Sequence, residues 1–398
     1  MDFEPSEKTR QVLAQLERFM QEHVYPAERP IYEQIEKSGD PHHEPPLWRE
    51  LAQKAKAIGL WNLFLPDTEH GAGLTNLEYA PLCEVMGRSP IAPRIFNCQA
   101  PDTGNMEILA QFGTPEQKQR WLAPLLEGEI RSCFSMTEPE VSSADPTQLQ
   151  CRAVRDKDHF VIDGHKWFTS GAIGASVAIV MAVTDPDAPP YARASMILVP
   201  TDTPGFRIER AVSVMGHVGG GGHCEIRYEN CRVPASNLLG PLHGGFMIAQ
   251  ARLGPGRIHH CMRALGMAER AFELMCRYAN TRRAFGSALG DKQFVQEWIA
   301  TSRMELDQAR LLTLYAAWKM DTYGKDRARQ EISMIKVVAP NVCMNVLDRS
   351  IQSMGALGVS DDTPVAAFWR NARALRIADG PDEVHKMVIA RRELKRFA

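Results

Sequence analysis

Near the C-terminal end, Ile377-Ala378-Asp379-Gly380-Pro381-Asp382-Glu383-Val384 sets three acids within five residues. A carboxylate can act as a general base when held against an acidified proton. On the residues alone, Asp379 before Gly380 also reads as an ordinary turn residue. Gly219-Gly220-Gly221-Gly222 invites a phosphate cradle, but it does not fit G-x-G-x-x-G and no strand–helix–strand unit surrounds it. It reads as a flexible loop between strands. His42 and His43 form a pair of possible metal ligands, yet they lie in the loop Asp40-Pro41-His42-His43-Glu44-Pro45-Pro46 with no third ligand in view. No metal site is expected. Nine cysteines run from Cys83 to Cys343 without one Cys-x-x-Cys pair, which favours buried free thiols over disulfides or zinc. Neither G-x-S-x-G nor H-E-x-x-H occurs. Two further stretches, Phe134-Ser135-Met136-Thr137-Glu138-Pro139 and Lys166-Trp167-Phe168-Thr169-Ser170-Gly171, carry hydroxyls and a tryptophan about 30 residues apart. Taken singly, each is explained as structure.

The elements that must position these residues fall into three zones. Residues 1–130 show apolar repeats of three and four, as in Thr9 to Glu22 and Leu47 to Ile58, broken by proline-rich loops, and are expected to form a helical domain. Residues 131–245 change period. Phe160-Val161-Ile162, Asp163-Gly164 and Lys166-Trp167-Phe168-Thr169 predict a hairpin, because Asp-Gly suits the positive φ of a type I′ turn. Further short strands at Val177 to Val183, Ser195 to Val199, Phe206 to Glu209 and Glu225 to Tyr228 predict a small β-barrel. Residues 246–398 return to long helical runs that predict an antiparallel four-helix bundle, with Pro340 expected to kink or end its helix. The fold class is therefore α+β.

With 398 residues the chain has room for two or three domains and a large core. Lys+Arg 46 against Asp+Glu 48 gives a formal charge of -2, which offers no global field for nucleic acid or anionic lipid. No apolar run approaches the roughly 18 residues of a membrane span. The acidic start Met1-Asp2-Phe3-Glu4-Pro5 lacks the features of a secretory signal, so a cytoplasmic location is expected.

Order, spacing and zone together change the reading of the separate stretches. The Thr137-Glu138-Pro139 and Trp167-Phe168-Thr169-Ser170-Gly171 segments, Tyr228 to Pro234 with Asn237-Leu238-Leu239-Gly240, and Arg282-Arg283-Ala284-Phe285-Gly286 with Gln293 resemble the acyl-CoA dehydrogenase family from end to end. The resemblance implies a homotetramer or homodimer with one FAD per subunit where barrel meets bundle. Met136 and Thr137 would then contact the isoalloxazine, Trp167 would pack beside it and Thr169 would approach its N5 edge. Arg282, Phe285 and Gln293, with Gln352 and Gly355 of Gln352-Ser353-Met354-Gly355, would reach the pyrophosphate and adenosine of a neighbouring subunit's FAD. Ser143 would take a flavin or pantetheine role, and Arg257 would stand on the CoA side, unless it is a salt bridge at a helix start.

The same resemblance implies α,β-dehydrogenation of an acyl-CoA to a trans-2-enoyl-CoA, with electrons passed to an electron-transferring flavoprotein. Asp379 aligns with the family's catalytic glutamate, Pro381 replaces a threonine, and the alternative base site falls on Gly256 and is vacant. Asp382 and Glu383 are the lesser candidates for the base. The Asp379 N–H, beside Gly380, would help to bind the thioester carbonyl, and burial is expected to raise the Asp379 pKa. Aspartate is one methylene shorter than glutamate, about 1.5 Å of reach, so a backbone shift or a displaced acyl chain is expected. The Asp-Gly-Pro-Asp-Glu-Val-His string resembles a subgroup that accepts medium to long, sometimes branched or hydroxylated chains. Two rivals share the scaffold: a flavin oxidase of the nitroalkane or acyl-CoA oxidase kind, and an idle DNA-associated flavoprotein. For the latter, the chain offers only the short basic run Arg391, Arg392, Lys395 and Arg396.

Overall fold

The computed structural model describes residues 3–398. Helix α1 (Glu7–Phe19) starts where Ser6 Oγ accepts from the Thr9 N–H, and it runs through a wider turn into α2 (Tyr25–Ser38). Gly39, at φ +70°, ends that run. Helices α3 (Pro46–Ala57), α4 (Asn76–Gly87) and α5 (Asp102–Phe112) complete the main N-terminal layer. Thr75 and Glu78 close a reciprocal cap on α4.

The middle of the chain folds into one eight-stranded sheet. Its strands are β1 (Ser132–Ser135), β2 (Arg152–Asp156), β3 (His159–Ser170), β4 (Val177–Val183), β5 (Ala194–Pro200), β6 (Phe206–Ala211), β7 (His223–Pro234) and β8 (Leu238–Leu239). The order is β6-β7-β3-β2-β4-β5-β8, with β1 parallel to β4. Every residue of β4 is buried, because alternate side chains serve two cores. Val177, Ile179 and Met181 join the large core shared with the helices. Ala178, Val180 and Ala182 join the smaller core inside the sheet with Cys133, Cys151, Ile226 and Tyr228.

The bundle comprises α6 (Gly245–Thr281), α7 (Gln293–Tyr323), α8 (Lys325–Met354), α9 (Val365–Leu375) and α10 (Asp382–Arg396). Its apolar faces and those of the N-terminal helices form one continuous core: Met86 and Tyr79 of α4 share it with Met262 and Leu265 of α6. Gly87 and Gly266 permit this approach. A methyl on Gly266 would stand 2.0 Å from Glu84 O, and one on Gly87 would stand 2.5 Å from Arg263 O.

One local expectation is corrected and a second is narrowed. Asp163-Gly164 is not a hairpin turn but a bulge within the continuous strand β3, with register shifting between Ile162 and Gly164. Asp163 Oδ1 accepts the Asn230 N–H of β7 at 2.6 Å, and Gly164 lies so close to Cys151 that a methyl there would stand 2.6 Å from its Cα. The true hairpin joins β2 to β3 through Lys157, at φ +55°. Of the two outcomes expected at Pro340, it does not end its helix. Ala339, Pro340 and Cys343 are all buried, and packing on α6 carries α8 through to Met354.

Candidate active site

The turn 376–381 joins α9 to α10 and is tied down from several sides. Lys336, buried in α8, donates its ammonium to the Leu375 carbonyl at the end of α9. Arg376 Nε meets Asp382 Oδ2 at 2.8 Å, and Asn341 Nδ2 donates to the same oxygen at 3.0 Å. Asp382 is buried with Oδ2 held by this clamp and Oδ1 without a partner, and Glu383 is exposed. Asp379 sits at φ +58° and Gly380 at φ +104°, the region that favours glycine. A methyl on Gly380 would stand 2.9 Å from His385 Nε2.

Helix α6 supplies the surroundings of Asp379. His260 Nε2 lies 3.1 Å from Asp379 Oδ2, Arg257 Nε donates to the Asp379 carbonyl at 3.0 Å, and His385 Nε2 of α10 donates to that carbonyl at 3.3 Å. The Asp379 side chain is 19% exposed, so it is neither sealed nor turned out into solvent. Burial pushes its carboxyl up. The His260 hydrogen bond and the charges of Arg252 and Arg257 outweigh that and hold it well below the usual carboxylate range. The expected rise is therefore reversed in this state: three basic side chains on one helix face it, and burial alone does not decide the sign. Arg257 lies inside α6 and not at a helix start, because α6 begins at Gly245. A side chain at Gly256 would project into open space, so no carboxylate competes with Asp379 from that position.

At the barrel end, the Trp167 N–H donates to Thr137 O at 3.0 Å and Thr137 Oγ1 donates to Trp167 O at 2.5 Å, pinning β3 to the segment after β1. Beneath them Lys166 and Glu138 form a fully buried pair at 2.8 Å; the ammonium also bonds Met136 O, and Glu138 accepts the Gln150 and Cys151 N–H groups. The N–H groups of Met136 and Thr137 find no acceptor among the described residues, and both residues are half-buried. Free backbone donors beside the half-buried Trp167 are what the polar edge and apolar face of an isoalloxazine require, so these residues fit FAD. Thr169 lies on the inner side of the same strand. It is wholly buried, with Oγ1 3.2 Å from Ser135 Oγ, because the backbone twist at Phe168 (φ +51°) turns Phe168 outward instead. Ser143 Oγ accepts the Glu138 N–H at 3.1 Å and donates to Glu138 O at 3.3 Å, closing the loop between them.

The remaining predicted residues lie far from these in kind. Arg282 and Phe285 belong to a hairpin formed by β9 (Arg283–Ala284) and β10 (Ser287–Ala288), and Gln293 opens α7. Phe285 is 100% exposed, and Arg282, Gln293, Gln352 and Gly355 are exposed too. Gly355 has φ +62°, with open space where a methyl would stand. Sequence reading missed His260, Arg252 and the Lys166–Glu138 pair. Arg252, Gly256 and His260 recur every four residues along one helix, and that spacing was the available signal.

The chain thus joins a helical layer, a β domain and a bundle, with a carboxylate turn facing basic helix residues and two free backbone donors beside Trp167. The comparisons carry this further. The chain matches the N-terminal, middle and C-terminal domain models of acyl-CoA dehydrogenases over residues 6–129, 133–231 and 243–394. "Probable acyl-CoA dehydrogenase FadE2" of Mycobacterium tuberculosis is 54% identical over 401 residues, covering 100% of this chain and 98% of that protein. Acyl-CoA dehydrogenase family member 11 of Gallus gallus is 50% identical over 98% of this chain, which spans only 51% of that longer protein. The solved "Structure of a putative acyl-CoA dehydrogenase from Mycobacterium abscessus" is similar at TM-score 0.96 and 48% identity, covering 99% of this chain and 100% of that one. The chain belongs to the acyl-CoA dehydrogenase family and is an oxidoreductase acting on acyl-CoA. Members of this family bind FAD, and one solved relative holds FADH2.

Proposed function

We propose that this chain catalyses FAD-dependent α,β-dehydrogenation of an acyl-CoA thioester to a trans-2-enoyl-CoA, with Asp379 taking the α-proton. The observation that carries this reading is at Asp379 itself. Its Oδ1 accepts nothing from the described residues, and its backbone N–H has no acceptor among them. One residue thus offers a proton acceptor and, beside it, a donor for a thioester carbonyl that acidifies the same α-carbon. The left-handed backbone at Asp379 is the kind of shift a shorter acid requires, since it re-aims the side chain without lengthening it. An apolar acyl chain entering beside Asp379 excludes water, and the added desolvation of the carboxylate raises its basicity against the pull of His260, Arg252 and Arg257. FAD, when bound against Met136, Thr137 and Trp167, supplies the acceptor for the hydride leaving Cβ. Arg257 and Gly380 border the substrate end, and Ser143 shapes the loop over the flavin segment. The exposed Arg282, Phe285, Gln293, Gln352 and Gly355 suit contact with a second copy's FAD in a homodimer or homotetramer, and an electron-transferring flavoprotein is the acceptor that fits.

The test is an anaerobic titration of the yellow protein with acyl-CoAs of graded length, following loss of flavin absorbance. Bleaching, with enoyl-CoA recovered one-for-one, is expected. Bleaching by none of the esters, or peroxide release matching turnover in air, would remove this reading.

A further inference from the structure

The group that touches the Asp379 side chain is His260, one helical turn beyond Gly256 on α6, with Nε2 3.1 Å from Oδ2. Its other ring nitrogen, Nδ1, lies 3.0 Å from Arg263 Nη2. A guanidinium has only N–H groups to offer, so Nδ1 must accept and carries no hydrogen. The ring hydrogen then sits on Nε2, the nitrogen 3.1 Å from Asp379 Oδ2. Burial pushes His260 below the usual imidazole range, with the Arg263 and Lys336 charges acting the same way against the pull of Asp379. The other charged and titratable groups facing the pair are Arg252 and Arg257 on α6, Lys336 on α8 and His385 on α10. Among the described residues, none of these four comes within 4 Å of a carboxylate oxygen of Asp379, as His260 does.

Resting on the proposed dehydrogenation, we infer that Arg263 and His260 form a positioning relay for Asp379, in which a neutral imidazole of fixed tautomer holds Oδ2 and leaves Oδ1 to meet the α-carbon. The need for such a relay follows from the short acid. A carboxylate about 1.5 Å short of a glutamate's reach has little tolerance for rotation, and misplacement by about 1 Å can cost on the order of 100-fold in rate. Backbone hydrogen bonds from Arg257 and His385 fix where the residue starts, but they leave its χ angles free. The Nε2–H fixes the far end. Arg263 matters because an unrestrained neutral imidazole can place its hydrogen on either nitrogen, and the Nδ1–H form would turn a lone pair toward the carboxylate. In this relay His260 and Arg263 both act through Asp379.

The FAD-loaded enzyme tests this through His260→Gln and His260→Asn. The glutamine amide reaches about where Nε2 stands and can still donate, whereas the asparagine amide stops near Nδ1. His260→Asn should slow anaerobic flavin reduction about 10- to 100-fold. It should also raise the acid limb of the pH–rate profile, since Asp379 loses a donor to its charged form. His260→Gln should keep most of the rate and leave the limb in place. Histidine 15N spectra of the wild-type protein, with His260 assigned by its absence in His260→Gln, should show a neutral Nε2–H ring between about pH 6 and 8. An Nδ1–H ring, or equal limbs in two variants that both bleach, would overturn the relay and leave the dehydrogenation standing. A wild-type flavin that no acyl-CoA bleaches would end both.

Discussion

Asp379 and Phe285, the two ends of the proposed site, stand in opposite surroundings. Around Asp379 a single chain supplies everything: a left-handed turn, Lys336 on the last carbonyl of α9, the Arg376–Asp382–Asn341 clamp below, and His260, Arg252 and Arg257 facing it from α6. Phe285, by contrast, sits at the tip of a two-residue-stranded hairpin with its whole ring in solvent. Proton transfer depends on tenths of an ångström, so its residues are fixed by many contacts within one core. Gripping the far end of a dinucleotide depends on reach and apolar cover, which a second copy can provide. On the proposed function, one chain finishes the chemistry and two chains finish the cofactor site.

The sharpest way to break that contrast is Asp379→Asn. The amide still accepts from His260 but cannot take a proton, so flavin reduction by an acyl-CoA should fall by about 10²–10⁴-fold, measured by anaerobic stopped flow. A wild-type rate would move the base elsewhere. Next in size is Glu138→Ala beneath the barrel end. It strands a buried Lys166 ammonium, and the loss should be about 3–5 kcal/mol in denaturant unfolding. A change under about 1 kcal/mol would mean that the pair is wet.

A third test uses Glu107 of α5, whose Oε2 is buried without a partner. Burial pushes its carboxyl up to about 8, against the pull of the Arg252 charge. Between the ordinary value of 4.5 and about 8 the folded chain therefore holds a proton that the unfolded chain has lost, and stability falls as pH rises through that window. Glu107→Gln removes the effect, so the melting temperature of the variant relative to wild type should climb from about pH 5 to about pH 8. A constant offset would show that Glu107 titrates normally. The smallest effect should come from Phe285→Ala, which removes no contact within the chain and should change unfolding free energy by no more than about 0.5 kcal/mol. The FAD-to-protein ratio after desalting and the assembly state by light scattering should both drop. If they are unchanged, the hairpin is not part of a cofactor site.

Much of the architecture was legible because it is written in local patterns. The helical repeats, the β-branched strands and the long proline-poor runs are properties of neighbouring residues, and they gave the order of helical layer, barrel and bundle. Asp163-Gly164 is not a turn, and Pro340 does not end its helix, for one shared reason. Each has a strong local preference, and each is overridden by long-range contacts, with Asn230 and Cys151 in one case and with α6 in the other. At the site, Thr137 and Trp167 were found together by motif and do meet. The burial of Thr169 was invisible, because it depends on a twist at Phe168 that no side-chain type announces.

The amino-acid sequence by itself determined which elements form, in what order, and which short strings carry acids, hydroxyls and arginines. Only the tertiary structure decided that Asp382 Oδ2 is held in a clamp, that His260 of α6 stands against the Asp379 carboxylate, and that the pull on Asp379 is downward. Helix and strand signals arise from contacts a few residues apart, which any window of sequence contains. The His260–Asp379 pair spans 119 positions, so it exists only once α6 and α9 have packed around a common core.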